Sequence, residues 1–142
     1  MPTRNAEAEW NGSIMDGKGN MRLGSGAFEG AYSFQSRMEE GKGTNPEELV
    51  GAAHAGCFSM ALSAALGKAG FEPKSIHTKA AVKFDKQGEG FAITRIDLTT
   101  DAEIPKIDDA KFQEIANAAK ENCPVSKALA GTEIHLQANL KQ

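Results

Sequence analysis

From Leu49 to Gly67 the chain runs nineteen residues without an Asp, Glu, Lys or Arg, between Glu48 and Lys68. A charge-free stretch of that length is nominally long enough to span a membrane. Its content argues otherwise. It holds His54, Ser59, Ser63 and three glycines, six of its residues are alanines, and its strongly apolar members are few: Leu49, Val50, Phe58, Met60, Leu62 and Leu66. A helix that is small and apolar on every face belongs at the buried centre of a soluble protein. One such helix in a chain of 142 residues lacks enough partners to cover it, so a second copy of the chain is expected to pack against it.

The flanks define this helix. Asn45 is a candidate N-cap, Pro46 suits the first helical position and Glu48 falls three residues after the cap. Gly70 is placed to end it in the left-handed conformation. Before it, Ala6 to Met38 is Gly-rich and alternates, Tyr32, Phe34 and Met38 against Ser33, Gln35 and Arg37, which predicts strands and turns. After it, Ile76 to Phe84 alternates with polar partners, Gln87 to Gly90 reads as a hairpin turn, and a strand follows from Phe91 to Thr100. Asp108 is expected to cap a second helix that stops near Asn122, with Pro124 opening a short one through Ala130. Ile134, Leu136, Ala138 and Leu140 mark a last strand. The order, three strands, a helix, two strands, a helix and a strand, is α+β in one domain over residues 1–142.

Composition removes several function classes. Sixteen Lys and Arg against nineteen Asp and Glu leave a net charge of -3, the wrong balance for nucleic acid. Two cysteines are too few for a disulfide scaffold. His77 and His135 fall on different strands and the chain has no CxxC or HxxxH spacing, so no metal is expected, and the Gly-Lys segments lack the phosphate-loop order, so no nucleotide cofactor is expected either. The first residues, Met1 to Glu7, have no apolar signal core, and a cytoplasmic location is expected, with no membrane attachment.

That leaves the cysteines. Cys57 sits mid-helix between Ala53 and Ala61 with Gly56 beside it, a setting that suits either an inert buried thiol or one with room for a small molecule. Cys123 precedes the helix-opening Pro124, where free N–H groups favour a thiolate. His54, three residues before Cys57, opens the option of a Cys–His nucleophile pair, although a lone histidine on an apolar helix more often belongs to the core. If the two sulfurs meet, they form the minimum machinery for reversible oxidation.

Several segments together resemble the OsmC/Ohr family: Gly43-Thr44-Asn45-Pro46-Glu47-Glu48-Leu49, Gly51-Ala52-Ala53-His54-Ala55, Cys57-Phe58-Ser59-Met60-Ala61-Leu62 and Cys123-Pro124-Val125-Ser126. The Ala-Ala-His-Ala and Ser-Met-Ala-Leu stretches resemble its OsmC branch, and the likeness reaches Trp10-Asn11-Gly12 and Gly90 to Thr94. The resemblance implies a thiol-dependent peroxidase for organic hydroperoxides, active in oxidative and osmotic stress defence. It implies an intertwined homodimer, with antiparallel sheets around two central helices and active sites at the subunit interface. It assigns Cys57 as the peroxidatic and Cys123 as the resolving cysteine, with Glu47 and an arginine assisting. Arg37 is taken for that arginine ahead of Arg22. An external dithiol, a lipoyl group in Ohr relatives, is the implied reductant. Glu47 lies ten residues before Cys57, about 15 Å along one helix, so the expected site is composite: Cys57 and Cys123 from one chain, Glu47 and Arg37 from its partner. The competing readings are a redox-switched binding protein, a structural stress protein and a Cys–His hydrolase.

Overall fold

The computed structural model describes residues 1–141. They form two compact units, residues 1–49 and residue 50 onward, each built on its own three-stranded sheet.

In the first unit β1 (Ala6–Asn11), β2 (Lys18–Leu23) and β3 (Glu29–Tyr32) make an antiparallel meander. The Trp10 and Tyr32 rings, 5.5 Å apart, close over Gly19. A Cβ there would lie 2.4 Å from Tyr32 and 2.7 Å from Trp10, so the strand position admits glycine alone. The segment expected to continue as strand, Phe34 to Met38, is instead a short helix, α1 (Phe34–Met38). The reason is local. Ser33 Oγ accepts from the Ser36 N–H while Ser36 Oγ accepts from the Ser33 N–H, and this reciprocal cap outweighs a five-residue alternation.

The charge-free stretch forms α2 (Pro46–Lys68). Asn45 caps it as expected, its Oδ1 accepting from the Glu48 N–H at 2.8 Å, and Gly70 follows it at φ 91°. The second unit comprises the rest of α2 with β4 (Ser75–Gln87), β5 (Gly90–Glu103), α3 (Asp109–Asn122), α4 (Pro124–Ala128) and β6 (Glu133–Lys141). β4 and β5 pair antiparallel through the Gly88-Glu89 turn. β6, however, joins β5 in parallel, Arg95 opposite Glu133 through Glu103 opposite Lys141. The expectation of antiparallel sheets is therefore corrected for this pair. The chain leaves β5 at Glu103, crosses through α3 and α4, and returns in the same direction, a route that a parallel neighbour requires.

The apolar stripe Phe58, Leu62 and Leu66 of α2 is wholly buried in one core with Ile96, Leu98 and Ala102 of β5 and Phe112 and Ala116 of α3. Gly51 lets α2 approach β4, since a Cβ there would sit 3.1 Å from Val82 Cγ2. A hydroxyl ladder, Ser59 to Thr78 at 2.8 Å and Thr78 to Thr100 at 2.9 Å, fixes the helix over the sheet. The opposite face of α2, with Ala52, Gly56, Met60, Ser63 and Gly67, is exposed, Met60 at 77%. By length and composition α2 could cross a membrane.

Truncating Leu62 to alanine should cost about 2–5 kcal/mol. The check is the urea midpoint, which should fall at unchanged slope; an unaltered midpoint contradicts the packing described.

Candidate functional site

The two cysteines, sixty-six residues apart in sequence, meet. Cys123 Sγ lies 3.0 Å from Cys57 Sγ, and both are free thiols. Closing a disulfide at 2.03–2.05 Å would need an approach of only about 1 Å. Cys57 projects from the middle of α2 and is half-buried, while Cys123 is fully buried. The position of Cys123 follows from two helix ends. Its N–H closes α3 by donating to Ala119, and its carbonyl opens α4 by accepting from Lys127. Pro124 at the first position of α4 enforces the break between them.

A second pair runs alongside. His54, completely buried, has its Nε2 2.8 Å from Ser126 Oγ. His54 and Cys57 are three residues apart on α2, and Cys123 and Ser126 are three apart at the start of α4. The two helices thus meet through two matched rungs, Cys57 to Cys123 and His54 to Ser126. His54 is not hydrogen-bonded to Cys57, which removes the geometry a Cys–His hydrolase would need. Sequence reasoning gave Ser126 no role. The matching three-residue spacings were the signal that could have found it.

Within this unit the electrostatics separate the sulfurs. Burial pushes the Cys57 thiol up, the hydrogen bond with Cys123 adds to that, and one N–H from Val125 opposes it. Burial pushes Cys123 up as well. There it is outweighed by the hydrogen bond from Cys57, the N–H and hydroxyl of Ser126 and the N–H of Val125, so the thiol lies below its ordinary value. Burial holds His54 below the usual imidazole range, that is, neutral.

In the first unit Arg37 and Glu47 come together. Arg37 Nε donates to Glu47 Oε1 at 3.1 Å and Nη2 to Oε2 at 2.9 Å, a two-pronged pair that lysine could not reproduce. Glu47 is buried. The pair is braced from below: Ser36 Oγ donates to the Thr44 carbonyl at 2.7 Å, Thr44 Oγ1 to Glu48 Oε2 at 2.6 Å, and Asn45 Nδ2 to the Ser36 carbonyl at 3.3 Å. Gly43, at φ 117°, would place any Cβ 2.5 Å from the Ala31 carbonyl oxygen, so the turn into this brace requires glycine. Arg22, the other candidate, pairs across strands with Glu7 on an exposed surface. Among the described residues, no group of three or more His, Cys, Asp and Glu could hold a metal ion.

Comparison with known proteins gives the family and the fold. Residues 39–138 match the model of the family described as OsmC-like protein. The chain belongs to that family. It is 50% identical over 139 residues to Peroxiredoxin OsmC of Escherichia coli (strain K12), covering 97% of this chain and 96% of that protein. It is 33% identical over 115 residues to Organic hydroperoxide resistance protein OhrB of Bacillus subtilis (strain 168), covering 80% and 82%. The crystal structure of the B. subtilis OhrB superposes with a TM-score of 0.69 at 28% identity, over 96% of this chain and 98% of that one. An OsmC-like protein from Mycoplasma pneumoniae shares the fold with a TM-score of 0.78 at 13% identity, covering 99% of both chains. The matched stretch covers residues 39–49 of the first unit and residues 50–138 of the second, so it takes in Glu47 and both cysteines and leaves Arg37 outside.

Mild oxidation with diamide should yield one intrachain disulfide between Cys57 and Cys123. A non-reduced peptide map containing only intermolecular links would contradict the 3.0 Å approach.

Proposed function

We propose that this chain is a thiol-dependent peroxidase that reduces organic hydroperoxides to alcohols, a cytoplasmic enzyme of oxidative and osmotic stress defence working as a homodimer. The observation that carries the reading is the pair of free thiols with sulfurs 3.0 Å apart, one half-buried and one fully buried. The printed names of the E. coli and B. subtilis relatives support the reaction class.

Cys57 is the peroxidatic cysteine, because it is the sulfur a substrate can reach. As a thiolate it attacks one peroxide oxygen, releases the alcohol and becomes a sulfenic acid. Cys123, shielded from peroxide, resolves that sulfenic acid to a disulfide before further oxidation. An external dithiol, of the lipoyl type that the family resemblance implies, restores both thiols by exchange.

One requirement follows from the electrostatics. The hydrogen bonds inside a subunit favour the thiolate on Cys123, not on Cys57, so the nucleophile needs a cation. Arg37, held flat by Glu47, is that cation in this proposal, and it also stabilises the departing alkoxide. Ten residues of α2 separate Glu47 from Cys57, which favours supply from the partner subunit. The exposed face of small residues around Met60 is the surface on which two α2 helices would pack antiparallel, bringing the start of one near the middle of the other. In this arrangement the two compact units act as one OsmC-like domain.

Two experiments test the reading. After one equivalent of alkyl hydroperoxide, mass spectrometry of Cys123→Ser should find sulfenic acid on Cys57. Sulfenic acid formed instead on Cys123 of Cys57→Ser, at the wild-type rate, would reverse the assignment. Subunit exchange then tests the composite site. Inactive Cys57→Ser mixed with inactive Arg37→Ala should regain activity, because the heterodimer gathers both lesions in one site and leaves the other intact. Heterodimers verified by native mass spectrometry but lacking activity would rule the composite site out.

A further inference from the structure

The rung beside the sulfurs has no part in the chemistry so far described. His54 is a fully buried histidine with one nitrogen bonded, Nε2 at 2.8 Å from Ser126 Oγ, and its Nδ1 has no hydrogen-bond partner among the described residues. A buried polar atom without a partner costs free energy, so its placement calls for a reason. The tautomer decides how much. With the proton on Nδ1, a buried donor is left unmade. With the proton on Nε2, the ring donates to Ser126 Oγ and only an acceptor lone pair goes unused. The second arrangement commits the Ser126 oxygen as acceptor and frees its hydroxyl proton to point elsewhere.

The place it can point is set by the helix. Cys123 is the N-cap of α4 and Ser126 its third residue, the position whose side chain reaches back toward the cap residue in a capping box. We propose that His54 and Ser126 are positioning residues of the resolving step. In this relay His54 Nε2–H donates to Ser126 Oγ, and the Ser126 hydroxyl donates to Cys123 Sγ, which is thereby held as a thiolate aimed at Cys57. The direction of the Cys123 shift, with the Ser126 hydroxyl among its causes, agrees with this. The direction in which burial moves His54 agrees too, since protonating Nδ1 would place a charge on a wholly buried ring.

The step balances as follows. The Cys123 thiolate attacks the sulfenic sulfur of Cys57, an S–S bond forms and the S–O bond breaks. The thiolate is oxidised, the sulfenic sulfur is reduced, and hydroxide leaves. Hydroxide takes up a proton from solvent, equal to the one Cys123 lost on ionising, and becomes water. The donor chain supplies no atoms. It supplies a thiolate where burial alone would leave a thiol, and it keeps that thiolate pointed along the 3.0 Å line to Cys57.

This inference rests on the peroxidase reading for its kinetic test, and a second readout is independent of it. In stopped-flow experiments with tert-butyl hydroperoxide, Ser126→Ala should form the Cys57 sulfenic acid at a rate within twofold of wild type. Disulfide formation should slow by about tenfold or more, the scale of a hydrogen bond to a charged group. Ser126→Thr, which keeps the hydroxyl, should restore it. His54→Leu should slow the same step, and His54→Gln, which keeps an N–H donor, should recover part of it. The independent readout is the thiolate absorbance of Cys123 against pH in a Cys57→Ser background. Adding Ser126→Ala should move the midpoint upward by about one unit, a tenfold loss of thiolate. If wild type does not react with hydroperoxide at all, the peroxidase reading fails while this titration still decides the relay. An unmoved midpoint, or equal slowing of both kinetic steps, would overturn the proposal.

Discussion

The contact between α2 and α4 is the constraint on which the rest depends. A long helix, free of charge from Leu49 to Gly67, meets a five-residue helix through two side-chain rungs, one of sulfur on sulfur and one of histidine on serine. Each rung needs the other element at a fixed height and rotation, because the residues in each pair lie three apart on their helix. Pro124 sets the start of α4, Cys123 closes α3, and the crossover into parallel β6 holds both against the sheet. The core stripe of Phe58, Leu62 and Leu66 then fixes α2 from the same side. A redox pair built this way needs no loop closure to bring its sulfurs together.

The price of that arrangement is electrostatic. Burying two thiols raises both, and the local donors at the start of α4 help Cys123 more than Cys57. In the proposed mechanism the nucleophile and its resolver, within one unit, therefore compete for the same charge. In the Arg37–Glu47 pair the guanidinium is held by two hydrogen bonds to a buried carboxylate, on a turn braced by Ser36, Thr44 and Asn45. In the proposed dimer it reverses the competition at the moment of attack. The His54–Ser126 chain then serves the opposite need, a charged Cys123, once Cys57 has become a sulfenic acid.

Much of this was legible in the sequence, and the exceptions have physical causes. The caps at Asn45 and Asp108, the break at Pro124 and the alternation of β4 and β6 were readable because each rests on neighbouring residues. α1 was not, since five alternating residues fit a strand as well as a helix and only the Ser33–Ser36 cap decides. The direction of β6 was hidden because a strand's pattern is the same either way along the sheet. The thiols were individually visible, but their meeting depends on contacts sixty-six residues apart. Ser126 stood in plain view beside Cys123, yet its partner His54 lies on another helix.

The central claim is that Cys57 is a nucleophile for organic peroxides, set in small and apolar surroundings. Stopped-flow oxidation of the wild-type protein by tert-butyl hydroperoxide beside hydrogen peroxide tests it most directly. Burying even two carbon groups of the substrate gives about 1.6 kcal/mol, so the organic peroxide should react at least about tenfold faster. Equal rates, or oxidation of Cys57 no faster than that of a free thiol, would contradict the account.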